Sequence, residues 1–186
     1  MLRVIVTILS MSLSCLGFAQ KSGAMYQVDM IVFKHQHPST DHSEYGSLDA
    51  LTSQNKHSIT LDNNIKAAMT PYHTLPASSS MLRNEYWALN RKSEYRVLFH
   101  YTWLQPNSNQ QFVSLPPTNK DGWNIEGLLR IKRSNYFLLD TQLVFSQSNN
   151  EKLTFVFNQK QRLKPEVVYY LDHPQAGMLI KVHQIA

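Results

Sequence analysis

The sequence predicts an α+β domain: a mostly antiparallel β-sheet meander with one main helix and a long polar loop region. Three observations lead there. Residues 94–104 alternate between two faces with period two, and the chain from Ile125 onward breaks into β-rich runs separated by turn residues. One segment, Met81 to Lys92, carries an apolar stripe at helical spacing.

Residues 1–19 stand apart as a predicted signal peptide. Arg3 supplies a short positive region, Val4 to Phe18 is mostly apolar, and Gly17-Phe18-Ala19 places small residues where a leader peptidase reads, so cleavage is expected after Ala19. The apolar run falls short of the ~20 residues that span a bilayer, and no later stretch approaches that length. The mature chain, residues 20–186, is therefore expected to be exported to the periplasm as one domain without a transmembrane segment.

Within that domain, Ala24 to Phe33 reads as a strand. Its early part, with Gln27 and Asp29 on one side, predicts a wet face, and its later part is apolar on both. Residues 34–80 are polar and weakly periodic, which predicts an extended, loop-rich segment with short helices at most near Asp49 and from Asn64 to Met69. Ser79 or Ser80 is placed to cap the Met81–Lys92 helix, with Leu82, Tyr86 and Leu89 as its apolar stripe. In the strand Glu94 to Leu104, Tyr95, Val97, Phe99, Tyr101 and Trp103 share one face, and Arg96, Leu98, His100 and Thr102 share the other. Ile125–Arg133, Tyr136–Ser146 and Glu151–Leu163 follow as strands joined by short turns. A final hairpin runs Val167–Leu171, turns at Asp172-His173-Pro174-Gln175-Ala176-Gly177, and returns through Met178–Ile185.

Composition excludes several chemistries. The single cysteine, Cys15, lies inside the predicted leader, behind Ser12-Leu13-Ser14, a poor lipidation signal. The mature chain then has no thiol for a disulfide, a cysteine nucleophile or a cysteine-based metal site. Losing Arg3 with the leader takes the net charge from +5 to +4, and the basic residues are scattered rather than clustered. A modest, spread positive balance favours anionic polymers or surfaces. No nucleic-acid-reading motif is present.

Candidate catalytic groups are few. His35, His37, Asp41 and His42 offer metal-ligating atoms, but the bland reading, a polar loop, is preferred, and no metal or other cofactor is expected. Asp172-His173 supplies two thirds of a nucleophilic triad, yet no serine stands in Gly-x-Ser-x-Gly. A turn explains the pair without catalysis: Asp172 accepts downstream backbone N–H groups and Pro174 holds its predecessor extended. Glu85, Glu94, Glu126 and Glu151 are carboxylates that sequence cannot pair across a cleft. Trp87, Trp103 and Trp123, with Tyr95, Tyr101, Tyr169 and Tyr170, have the chemistry to stack on sugars, although core packing is the preferred role for each.

Four segments, in order, resemble the CsiV (cell-shape-integrity) family of peptidoglycan-binding proteins from Gram-negative bacteria. They are Tyr26-Gln-Val-Asp-Met-Ile-Val-Phe33 after a leader, and Tyr95 to Pro106 with its Trp103-x-Gln105-Pro106 ending. Gly127 with Ile131-Lys-Arg-Ser-Asn-Tyr136 and Leu138-Leu-Asp140 follows, and Tyr170-Leu-Asp172-His173-Pro174-Gln-Ala-Gly177 closes the set. The resemblance implies a periplasmic, non-enzymatic peptidoglycan binder. It also implies a supporting role toward a class A penicillin-binding synthase and its outer-membrane lipoprotein activator. No catalytic residue carries over, and the motif residues are expected to be structural. Arg130, Lys132 and Arg133 are the expected contacts to the polymer. The competing expectation is an adaptor that pairs with envelope proteins through sheet edges.

Overall fold

The computed structural model describes residues 24–37, 57–64, 70–148 and 150–185. Among them, the strands are β1 (Met25–His35), β2 (Ile59–Thr60), β3 (Tyr95–Pro106), β4 (Val113–Ser114), β5 (Thr118–Lys120) and β6 (Trp123–Arg133). Then follow β7 (Phe137–Gln147), β8 (Asn150–Leu163), β9 (Tyr169–Asp172) and β10 (Ala176–Gln184), and the helix α1 (Arg83–Asn90) lies between β2 and β3. One sheet has the order β3-β1-β10-β9, and the other β2-β4-β6-β7-β8 with β5 also paired to β6. Every pairing is antiparallel except β2 with β4. No helix among the described residues is long and apolar enough to cross a membrane.

The predicted meander is β6-β7-β8. The closing hairpin leaves it and completes the first sheet instead, with β10 pairing β1 from Tyr26↔Gln184 to Lys34↔Ala176. The reason is β1 itself. It is buried from Tyr26 to Phe33 on both faces, so its backbone needs a partner along each edge, and β3 and β10 supply them.

The two sheets face each other across one core. Val28, Met30 and Val32 of β1 and Met178, Ile180 and Val182 of β10 pack with Ile125, Leu129 and Ile131 of β6, Leu139, Leu143 and Phe145 of β7, and Phe155 and Phe157 of β8. Burial of these side chains is the main favourable term, at about 1.5–3 kcal/mol for each large one. Polar atoms join the layers too. The Ile131 carbonyl lies beyond the β4 pairing, which on β6 reaches only Leu129, and it accepts from Tyr26 Oη at 3.0 Å and Gln105 Nε2 at 3.4 Å. Burial pushes the Tyr26 phenol far above its ordinary pKa, so the hydroxyl stays a donor.

The predicted single face of β3 is split in two. Its pairing with β1 shifts register between Val32↔Phe99 and Phe33↔Val97, so Leu98 is the extra residue of a bulge. Leu98, Phe99 and Trp103 join the inter-sheet core, whereas Tyr95 and Val97 pack on the opposite side with Ile31, Phe33, Leu82, Tyr86 and Leu89. That second cluster is where α1 docks. The helix is shorter than the predicted Met81–Lys92, and neither serine caps it: Leu82 holds the cap position without a side-chain bond. Ser80 Oγ instead accepts the Leu82 N–H at 3.0 Å and hydrogen-bonds His100 Nε2 at 2.7 Å.

The predicted wet face of early β1 is dry. Gln27 and Asp29 are buried, Asp29 completely, because the segment leading into α1 covers them. Asp29 Oδ1 accepts from Thr102 Oγ1 at 2.7 Å and from the Met81 N–H at 3.2 Å, and Oδ2 accepts from Gln27 Nε2 at 2.9 Å. Gln27 Nε2 also donates to the Ser79 carbonyl at 2.9 Å. A buried carboxylate is tolerated here because each oxygen has a donor.

The described parts of the polar segment are packed, not loose. Ile59–Thr60 forms β2, Leu61 and Thr74 are buried, and Thr74 bridges to Trp103. The short helices expected near Asp49 and over Asn64–Met69 lie outside the described residues, apart from Asn64, which is in a bend.

Two outcomes follow for stability. Asp29→Ala leaves three donors without their acceptor and is expected to cost about 2–4 kcal/mol in denaturant unfolding. Asp29→Asn, which offers a donor where acceptors are needed, should be nearly as costly; wild-type stability in Asn would overturn the three-donor account. Second, burial lowers the His100 pKa below its ordinary 6.5, with Asp29 opposing the shift in part. Protonation then costs more in the folded chain than in the unfolded one. Stability is expected to be full above pH ~6.5 and to fall as pH drops through the folded pKa, a slope that His100→Gln should flatten in urea titrations.

Candidate functional site

β-strand geometry repeats a face every second residue and sets neighbouring strands about 4.8 Å apart, so pairing register alone lays out a surface. On the outer face of the second sheet, Arg130 stands opposite Asp140, which stands opposite Lys160, and Lys132 opposite Leu138 opposite Arg162. These residues line a shallow groove of about 390 Å³. Arg130 Nη2 donates to Asp140 Oδ2 at 2.7 Å, and its guanidinium lies over the Phe112 ring at 4.1 Å. The Arg162 guanidinium lies 4.6 Å from the centre of the Tyr136 ring. Both arginines are thus braced by aromatic faces, which limits the rotamer freedom lost on meeting a ligand. Leu138 is exposed in the middle. With Asp140 committed to Arg130, the groove presents Lys132, Lys160 and Arg162 as cations without an acidic partner among the described residues. Planar guanidinium and ammonium donors at such spacings suit a ligand bearing several carboxylates.

Of the three basic residues singled out from sequence, this face gathers two. Arg133 falls on the opposite side of β6, where its guanidinium sits 5.8 Å from the centre of the inward-facing Phe137 ring. Consecutive strand positions cannot share a face. Lys160 and Arg162 were missed because their link to Arg130 and Lys132 runs through two strand pairings, which no local spacing encodes.

The motif residues take packing positions. Trp103 is fully buried, and its Nε1 donates to Gln105 Oε1 at 3.3 Å, orienting the amide that reaches Ile131. Pro106 ends β3, and its carbonyl accepts the Asn109 N–H at 3.0 Å. In the closing hairpin, His173 and Ala176 exchange backbone bonds of 3.0 and 3.2 Å around Pro174 and Gln175. The turn acceptor is His173, not Asp172: His173 Nδ1 takes the Gln175 N–H at 3.1 Å while its ring stacks on Phe155 with centroids 4.9 Å apart. Asp172 accepts from the Tyr170 hydroxyl instead. Gly177 lies in β10 rather than in the turn, and it is required because an added Cβ would lie 2.4 Å from Phe33 Cζ and 2.9 Å from Tyr170 Cε2.

Among the described residues, the catalytic candidates do not assemble. Asp172 and His173 point to different partners. Among the described residues, no three His, Cys, Asp or Glu side chains are grouped as metal ligands, and Asp41 and His42 lie outside those residues. Glu85 on α1 and Glu126 on β6 are separated by the sandwich, and the Glu151 side chain lies outside the described ones. Sequence reasoning did not find the Ser80–His100 pair, which resembles a nucleophile and its base. Ser80 is buried, however, and both Asp29 oxygens are occupied by donors other than the imidazole. The contact serves to anchor the segment that precedes α1.

No curated protein and no solved structure matches the chain. The four ordered segments agree with a match to the family model described as "Peptidoglycan-binding protein, CsiV", which spans residues 2–185; the chain belongs to that family.

Proposed function

We propose that the protein is an exported, non-enzymatic accessory of cell-wall synthesis that holds peptidoglycan on the outer face of its second sheet. The observation that carries this reading is the groove of Lys132, Lys160 and Arg162 around exposed Leu138, next to the braced Arg130–Asp140 pair. Peptide stems of peptidoglycan carry carboxylates at repeated intervals. Each exposed ionic contact contributes only about 0.2–1 kcal/mol, so useful affinity comes from several engaged together along a polymer. The periplasmic location rests on the predicted leader and on where peptidoglycan lies.

Pelleting with purified sacculi tests the reading. Wild-type protein should pellet at low salt and be released progressively as exposed charges are screened. Lys132→Ala/Lys160→Ala/Arg162→Ala should lose most low-salt pelleting, and Arg133→Ala should keep it. Retention by the triple variant would remove this face from the account.

A second reading, an adaptor that pairs strands with an envelope protein, is favoured by β9, which is the last strand of its sheet among the described residues. Val167, Val168 and Tyr170 are exposed there, along an edge with no further strand among the described residues. The family resemblance makes a class A penicillin-binding synthase or its outer-membrane lipoprotein activator the natural occupant. Photo-crosslinkers at Val168 and Tyr170 in cells are expected to trap one of these; crosslinks to neither would leave the partnership without support.

A further inference from the structure

Aromatic chemistry for sugar binding is distributed very unevenly in this molecule. Trp103 and Trp123 are 0% and 8% exposed, whereas Trp87 on α1 is 53% exposed. Trp87 stands edge-on to Tyr86 at 5.3 Å, and Tyr86 stacks on His100 at 5.3 Å with the rings 24° from parallel. The three side chains form one wall system of a cleft of about 510 Å³ between α1, β3 and the end of β5, floored in part by Phe99. This volume is in the range of small-molecule sites.

The polar lining is one-sided. Arg83 and Lys120 both line the cleft, both are exposed, and neither has an acidic partner among the described residues. The acid next in sequence, Asp121, is engaged elsewhere, in a 3.3 Å contact with Arg96. Among the described residues, no carboxylate lines the cleft. His100 is held by Ser80 at Nε2, which leaves Nδ1 without a protein hydrogen-bond partner among the described residues.

From this juxtaposition we infer that the cleft is a second peptidoglycan subsite, taking an amino-sugar ring against Trp87 with the acidic peptide that it carries directed to Arg83 and Lys120. The inference rests on the peptidoglycan-binding reading and adds the ligand part and its position. The axial C–H bonds of a pyranose are weakly positive and meet the negative face of an indole, while its acetamido and hydroxyl groups need polar atoms at the rim. A cluster that was only core would not leave one tryptophan of three in solvent beside two unpaired cations. The cleft shares no lining residue with the groove of Lys132, Lys160 and Arg162, so the two are separable by mutation.

The test uses two soluble probes, a disaccharide-tetrapeptide muropeptide and a neutral N-acetylglucosamine tetrasaccharide. The muropeptide should protect wild-type tryptophan fluorescence from acrylamide, because the quencher reaches Trp87 far more readily than the two buried indoles. In calorimetry Trp87→Ala should weaken muropeptide binding by about tenfold or more. Arg83→Ala/Lys120→Ala should reduce muropeptide affinity to that of the neutral tetrasaccharide. Both substitutions are on the surface, so little change in stability is expected. Wild-type affinity in Trp87→Ala overturns the proposal. If sacculi pellet the wild type but the muropeptide does not bind it, the cleft fails and the sheet-face reading stands. If sacculi do not pellet the wild type at low salt, the reading beneath both fails.

Discussion

Asp29 is the group around which one side of this molecule is arranged. A carboxylate at the centre of a doubly covered strand is tolerable only if donors surround it, and its donors come from three places: Gln27 on its own strand, Thr102 on β3, and the Met81 N–H ahead of α1. Satisfying it therefore fixes the path of the chain from Ser79 to Leu82. That path sets where α1 lies on the sheet, and with it the position of Trp87, Tyr86 and Arg83 relative to His100. The polar cluster adds specificity where apolar contacts between Leu82, Leu89, Ile31 and Val97 supply most of the burial.

The other side depends on a carbonyl. Ile131 lies where β6 has outrun β4, and a free carbonyl inside a sandwich has to be met by a side chain. Tyr26 and Gln105 meet it from the facing sheet, and Trp103 orients Gln105. This gives the Trp-x-Gln motif a physical meaning: it joins two sheets rather than a ligand. The same logic holds at Gly177, whose hydrogen side chain lets the Phe33 and Tyr170 rings close over the strand. The residues most distinctive in the sequence hold the sandwich together, and the surfaces proposed for the polymer consist of ordinary lysines, arginines and one tryptophan.

The two surfaces share no lining residue, one being cationic with an apolar centre and the other aromatic with a cationic rim. A wall polymer carries both uncharged sugar and charged peptide, and under the proposed function each surface would meet one of these chemistries.

Much of the fold was legible from local pattern. Period-two alternation located β1, β3, β6, β7 and β8, and turn residues located the closing hairpin, because strands and turns are written in neighbouring residues. The family, too, was legible in four short segments. What local pattern missed was every feature that needs a second strand. The bulge at Leu98 that splits the face of β3 exists only in register with β1. The burial of Gln27 and Asp29 exists only under the segment before α1. The exclusion of Arg133 and the inclusion of Lys160 and Arg162 follow from pairing across β7. The sequence by itself determined the long strands, the closing hairpin and the family, but not the short strands β2, β4 and β5, which carry too few residues for a pattern of their own. Only tertiary structure decided which side chains share a surface, since sheet neighbours lie close in space through hydrogen-bond register while remaining tens of residues apart along the chain.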